Sequence, residues 1–134
     1  MTIPAGISSF AGAVLRIVSG AMFSFHGAQK LFGVLSTPEH QPPAWSQLWF
    51  GGIIELIGGI LIALGLFTRP AALLASGTMA VAYFQFHWKL AMDHWKFLPA
   101  VNGGELAVLY CFVFLVFAVS GAGSFSIDRL RSRA

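Results

Sequence analysis

Gly51-Gly52-Ile53-Ile54-Glu55-Leu56-Ile57-Gly58-Gly59, running on through Ile60 to Phe67, is an apolar stretch long enough to cross a bilayer, and it carries one carboxylate, Glu55, inside it. At about 100° per residue on a helix, Gly51, Gly52, Gly58 and Gly59 fall within roughly 60° of Glu55, with Ile62 between them and Gly65 further round. Small residues mark the face where neighbouring helices approach closely, so Glu55 is expected to point into a helix bundle rather than at lipid. An ionisable group buried there is costly unless it is paired or protonated, which makes it a candidate functional position and sets a search for its partners.

Composition agrees with a membrane setting. The 134 residues are 57% hydrophobic and 10% charged, with a mean hydropathy of +0.77, whereas soluble domains carry about 25% charged residues. The single cysteine, Cys111, excludes an internal disulfide framework, a Cys-x-x-Cys redox pair and a multi-thiolate metal site. The net charge of +3 comes largely from Arg129, Arg131 and Arg133 and reads as positive flanking sequence at a membrane surface, not as a nucleic-acid patch. Met1 to Phe10 has neither a basic leader nor a small-residue cleavage pattern, so it is not read as a removable signal peptide.

Outward from Glu55 the chain divides into four apolar spans, at about 10–32, 48–67, 70–88 and 104–121, within a single domain over 1–134 that ends in a basic tail, 123–134. The predicted fold class is an all-α membrane protein, an antiparallel four-transmembrane-helix bundle with two outer-face connecting loops. The first loop, Gly33 to Gln47, holds Pro38, Pro42 and Pro43, which break a helix. The second, Lys89 to Asn102, holds Asp93, His94, Trp95, Lys96 and Pro99. A turn at Thr68, Arg69 and Pro70 makes the middle spans a hairpin. Arg16, Arg69, Arg129, Arg131 and Arg133 lie on one side and Lys30, Lys89 and Lys96 on the other, so both termini are expected in the cytoplasm. Arg16 is expected to reach back to that interface, toward Asp128. A faint echo, Ser19-Gly20-Ala21-Met22 against Ser76-Gly77-Thr78-Met79, suits a duplicated hairpin, and coincidence in a low-complexity alphabet equally well.

The polar residues gather on the outer side. His26, Gln29 and Lys30 end the first span, Glu55 lies in the outer half of the second, Gln85 and His87 end the third, and Glu105 opens the fourth. These seven are the candidate ligand-binding or proton-relay residues; no catalytic residue is assigned and no metal site is expected. Lys30, or failing that His26, is expected to pair with Glu55. Other polar residues have blander readings. Trp45, Trp49, Trp88 and Trp95 suit an aromatic belt, Lys89 and Lys96 suit snorkelling to headgroups, Cys111 suits packing, and His40 and His94 suit loops.

The order Arg16, Gly20, His26-Gly27, Lys30-Leu31-Phe32-Gly33, then Glu55, Gly58-Gly59, Gly65-Leu66, Thr68-Arg69, then Asn102-Gly103-Gly104-Glu105, and finally Gly121-Ala122-Gly123 and Ser126-Ile127-Asp128-Arg129-Leu130 resembles the DoxX family of small four-helix membrane proteins. The likeness covers nearly the whole chain. Proteins of this family are similar to the small subunit of thiosulfate:quinone oxidoreductase, so the resemblance implies a quinone-linked redox setting in the bacterial inner membrane. It implies no catalytic residue list, and the chain has no flavin, dinucleotide or haem-attachment motif.

Two functions of different kinds follow. One is a membrane subunit of quinone-linked redox chemistry, at most an oxidoreductase component, whose outer-leaflet pocket binds a quinone or another small ligand. The other is an accessory or assembly subunit of a larger membrane complex with no turnover of its own. Haem between His26 and His87 is disfavoured by their different depths. Solute transport would need a thicker assembly than four helices. Expected partners are the lipid bilayer and other membrane subunits or a second copy; nucleic acid is not among them.

Overall fold

A computed structural model describes residues 4–35 and 41–133, and every regular element among them is helical. Pro38, His40 and the middle of the first connecting loop lie outside the described residues, as does the end of the tail. Helix α1 spans Ala5–Phe32, α2 Gln47–Leu64, α3 Thr68–Ala82, α4 Pro99–Asn102, α5 Glu105–Ser120 and α6 Ile127–Arg131. α1 and α2 are long and apolar enough to cross a bilayer; α5 is apolar and shorter.

The helix ends follow local chemistry. α1 starts directly after Pro4, whose carbonyl accepts from the Ile7 amide at 3.0 Å, and it stops at Gly33, which adopts the left-handed conformation (φ 65°). The Ser46 side chain caps α2 by accepting from the Trp49 amide at 3.2 Å. α2 ends at Leu64, not Phe67. Gly65 is left-handed (φ 68°) and the bonds from its own amide to Ile62 O and from Leu66 N to Leu61 O form a Schellman closure. The turn is therefore Gly65 to Phe67, and the expected turn residues Thr68, Arg69 and Pro70 form the first turn of α3, where a missing N–H is harmless.

α3 is prolonged by a π-helical turn over Tyr83–Trp88, closed by Lys89 N donating to Phe84 O at 3.0 Å. The second loop is partly ordered. It contains a 3-10 turn at Asp93–Trp95 and α4, and is tied to the π-turn by Tyr83 Oη donating to Phe97 O (2.6 Å) and Asn102 Nδ2 to Tyr83 Oη (3.2 Å).

The long helices associate in two close pairs. In the first, a Cβ on Gly20 would lie 2.7 Å from Gly59 O, and one on Gly59 2.6 Å from Gly20 O, while one on Gly27, a heptad on, would lie 2.6 Å from Gly52 O. α1 and α2 thus run in opposite directions with backbone against backbone, which only glycine permits. Gly51 and Gly58, grouped with these by helical angle, have nothing within 4 Å of a Cβ. In the second pair, Ser76 Oγ donates to Cys111 O at 2.8 Å and Arg69 Nη1 to Val119 O at 2.6 Å, so α3 and α5 are likewise opposed. Phe23, Ile62, Ala72, Ala75, Met79 and Phe114 join the pairs in one core, with the Phe23 and Phe114 rings 4.7 Å apart.

The end bearing the Gly65–Phe67 turn is locked by charge. Arg16 does not reach an interface: it is fully buried, and its guanidinium donates to Ile62 O (2.9 Å), Ala63 O (2.7 Å) and Phe125 O (2.7 Å). A cation sits against the carbonyl end of α2. Asp128 holds the start of α3, its carboxylate accepting from the Phe67 and Thr68 amides at 2.9 Å each. The C-terminal segment is thus no loose tail through Arg131, because Ser124 to α6 folds back over the turn.

Candidate functional site

Between the two helix pairs lies a cavity of about 910 Å³, walled mainly by apolar side chains of α2, α3 and α5 and by the α1 residues Phe23, His26 and Lys30. The close glycine packing of α1 on α2 fixes where Lys30 and Glu55 stand, since Gly52 seats directly beneath the Lys30 side chain. Lys30 Nζ lies 2.5 Å from Glu55 Oε1. The carboxylate is 3% exposed and the lysine 30% exposed, so the pair has one desolvated partner and one that reaches the rim.

Two residues that line the cavity each carry a polar atom without a partner. Glu55 Oε2 and Tyr110 Oη are buried and make no hydrogen bond among the described residues. Tyr110, 6% exposed on the inward face of α5, stacks on Phe114 and sets its ring edge-on to His26, with centroids 6.3 Å apart. A buried hydroxyl and a buried carboxylate oxygen without partners each carry a desolvation cost of about 1–3 kcal/mol, more for the charged one. Such a cost is recovered when a ligand supplies the missing bonds.

Of the seven residues singled out in the sequence, four line the cavity: His26, Lys30, Glu55 and His87. The π-turn rotates the end of α3 so that Phe86 and His87 face it. The other three stand elsewhere. Gln29 donates to Leu35 O at 3.1 Å and steadies the end of α1. Gln85 accepts from Gln47 Nε2 at 2.6 Å, bridging the ends of α2 and α3 beside the cavity. Glu105 is exposed as the first residue of α5, where a carboxylate is favoured by the helix dipole and needs no partner. Tyr110 also lines the cavity and is not among the seven. Its signal was available, since it follows Ala107 by one turn on the small-residue face of the last span.

A small, apolar, helical chain with two helices of bilayer length, an apolar exterior and a buried ion pair is a membrane protein by class. The DoxX family model matches residues 11–88. An uncharacterized protein of Haemophilus influenzae is 45% identical over 118 residues, 87% of each chain. The Escherichia coli inner membrane protein YqjF is 29% identical over 118 residues, 85% of this chain and 79% of its own. The chain belongs to the DoxX family of membrane proteins. No solved structure matches it.

Proposed function

We propose that this protein is an integral membrane subunit of quinone-linked redox chemistry, and that the cavity between the helix pairs holds a quinone head. In this reading α1, α2, α3 with its π-turn, and α5 make four crossings of the bacterial inner membrane as an antiparallel bundle. The arginine-rich turn end and both termini lie in the cytoplasm and the tryptophan-bearing end lies outside.

One observation carries the proposal: Glu55 and Tyr110 both line one largely apolar cavity, and each keeps a buried oxygen, Oε2 and Oη, without a partner among the described residues. A quinone is flat and apolar with two carbonyl acceptors across the ring, so Tyr110 Oη or His26 can donate to one of them. On reduction the ring needs protons. Glu55, ionised in its pair with Lys30, carries no proton of its own, so each proton would pass from Lys30 Nζ through the carboxylate to the ring, and Lys30 would regain one at the rim.

The accessory-subunit reading is favoured by a different observation, the Lys30–Glu55 pair itself, which ties α1 to α2 without any ligand. Gentle extraction from the native membrane followed by mass spectrometry of the bound lipids separates the two. The proposal expects a quinone retained well above its share of the membrane lipids. Quinone at or below that share would refute it.

A further inference from the structure

We infer that the cleft between α2 and α3 is a lateral portal, through which a prenylated quinone enters from the bilayer with its head at Glu55 and its tail left lying along α3. The inference rests on the cavity reading above and adds the route and the part of the ligand recognised.

Three features point there. First, the cavity is not confined to the core. It continues along the outward face of α3 from Pro70 past Leu74, Gly77 and Val81 to Phe86, about 25 Å of helix. Leu74 is 57% exposed, so this stretch faces what surrounds the protein. Second, both lips of the cleft carry a glycine that touches nothing. Gly51 on α2 and Gly77 on α3 line the cavity, and a Cβ on either would meet no atom within 4 Å. In the same protein Gly20, Gly27, Gly52 and Gly59 are filled by a neighbouring helix. The absence of side chains at Gly51 and Gly77 therefore leaves a gap rather than a contact. Third, the gap opens at the right depth. Glu55 and Gly77 stand equally far from the Gly65–Phe67 turn, one before it and one after, so the hairpin brings these two residues to the same level.

The cleft is bounded at one end by the Gly65–Phe67 turn, where Asp128 accepts from the Thr68 amide, and crossed at the other by the Gln47–Gln85 hydrogen bond. Entry is therefore sideways, from lipid. An amphiphile whose head hydrogen-bonds and whose tail is apolar fits this shape; a second copy of the chain would fill the groove but leave Glu55 and Tyr110 unpartnered.

Binding of ubiquinone-2, which carries two isoprene units, and of tail-less ubiquinone-0 is measured by tryptophan quenching on the full chain in one detergent, for the parent, Gly77→Leu and Gly51→Leu. A Cβ at either position meets no atom within 4 Å, and thermal unfolding checks that each variant is folded. The portal predicts an affinity loss in either variant that is at least tenfold greater for ubiquinone-2 than for ubiquinone-0. Equal effects on the two quinones, or none on ubiquinone-2, would overturn the portal while leaving the head pocket standing. A change in oligomeric state without a change in ubiquinone-2 binding would assign the groove to a second copy and overturn it as well. A parent protein that binds neither quinone would remove the head pocket and the portal together.

Discussion

Glu55 combines two demands that a carboxylate has separate oxygens to meet. Oε1 is held by Lys30, and Oε2 is left for something else. Breaking a fully buried ion pair costs about 3–5 kcal/mol. Lys30 is 30% exposed and can turn toward headgroups, so Glu55→Gln is expected to cost less, about 1–2 kcal/mol, and to remain folded. Thermal unfolding in detergent checks this; loss of all folded protein would make the pair a structural lock before anything else. At the turn end, burial raises the Asp128 pKa, but the amides of Thr68 and Phe67 and the charge of Arg131 outweigh it and hold the carboxyl below its ordinary value. A lowered folded pKa means the stabilisation is complete above the unfolded value of about 3.9 and is lost as the pH falls through the folded one. The stability gap between the parent and Asp128→Asn should therefore be present at pH 7 and shrink below about pH 4. A gap that grows in acid would contradict the assignment of Asp128 as a charged helix cap. Glu55 was legible from its place in an apolar run. The roles of Arg16 and Asp128 were not, because helical periodicity says nothing about carbonyls exposed at the end of another helix.

At the scale of elements, glycines of one helix perform opposite tasks. Gly27 sits against the α2 backbone at Gly52 and Leu56, whereas Gly12 of the same helix has nothing within 4 Å of a Cβ. Gly27→Ala should force α1 and α2 apart and destabilise the protein by about 1–3 kcal/mol. Gly12→Ala should be neutral or stabilising by up to about 1 kcal/mol, since it removes only the flexibility of glycine in a helix. Comparison of the two melting temperatures decides; equal effects would mean that α1 and α2 do not pack through glycine. The sequence pointed to a glycine face on the second span, but angle alone could not separate Gly52 and Gly59, which receive α1, from Gly51, which lines the cavity. That division depends on which side the partner helix lies. The end of α2 was misplaced for a related reason: Gly65 stops the helix through a left-handed turn, while the apolar Leu66 and Phe67 read as its continuation.

For the whole molecule, apolar composition and four spans announced a membrane protein, and the family match and the inner membrane relative agree. The gathering of His26, Lys30, Glu55 and His87 on one cavity was legible because helix ends alternate sides of a bundle. The displacement of Gln29, Gln85 and Glu105 was not, since it depends on rotation about each helix axis and on the π-turn. The central claim is that unpartnered polar atoms of residues lining this cavity receive a quinone head, and Tyr110 tests it with the least disturbance. Its hydroxyl makes no hydrogen bond within the chain, so Tyr110→Phe removes a donor without breaking a protein contact and should leave the melting temperature unchanged or raise it. The direct measurement is the affinity of Tyr110→Phe for ubiquinone-0 against that of the parent. The account predicts a loss of about tenfold, near the 1.4 kcal/mol of one hydrogen bond, in a protein at least as stable as the parent. An unchanged affinity in a folded Tyr110→Phe protein would contradict it.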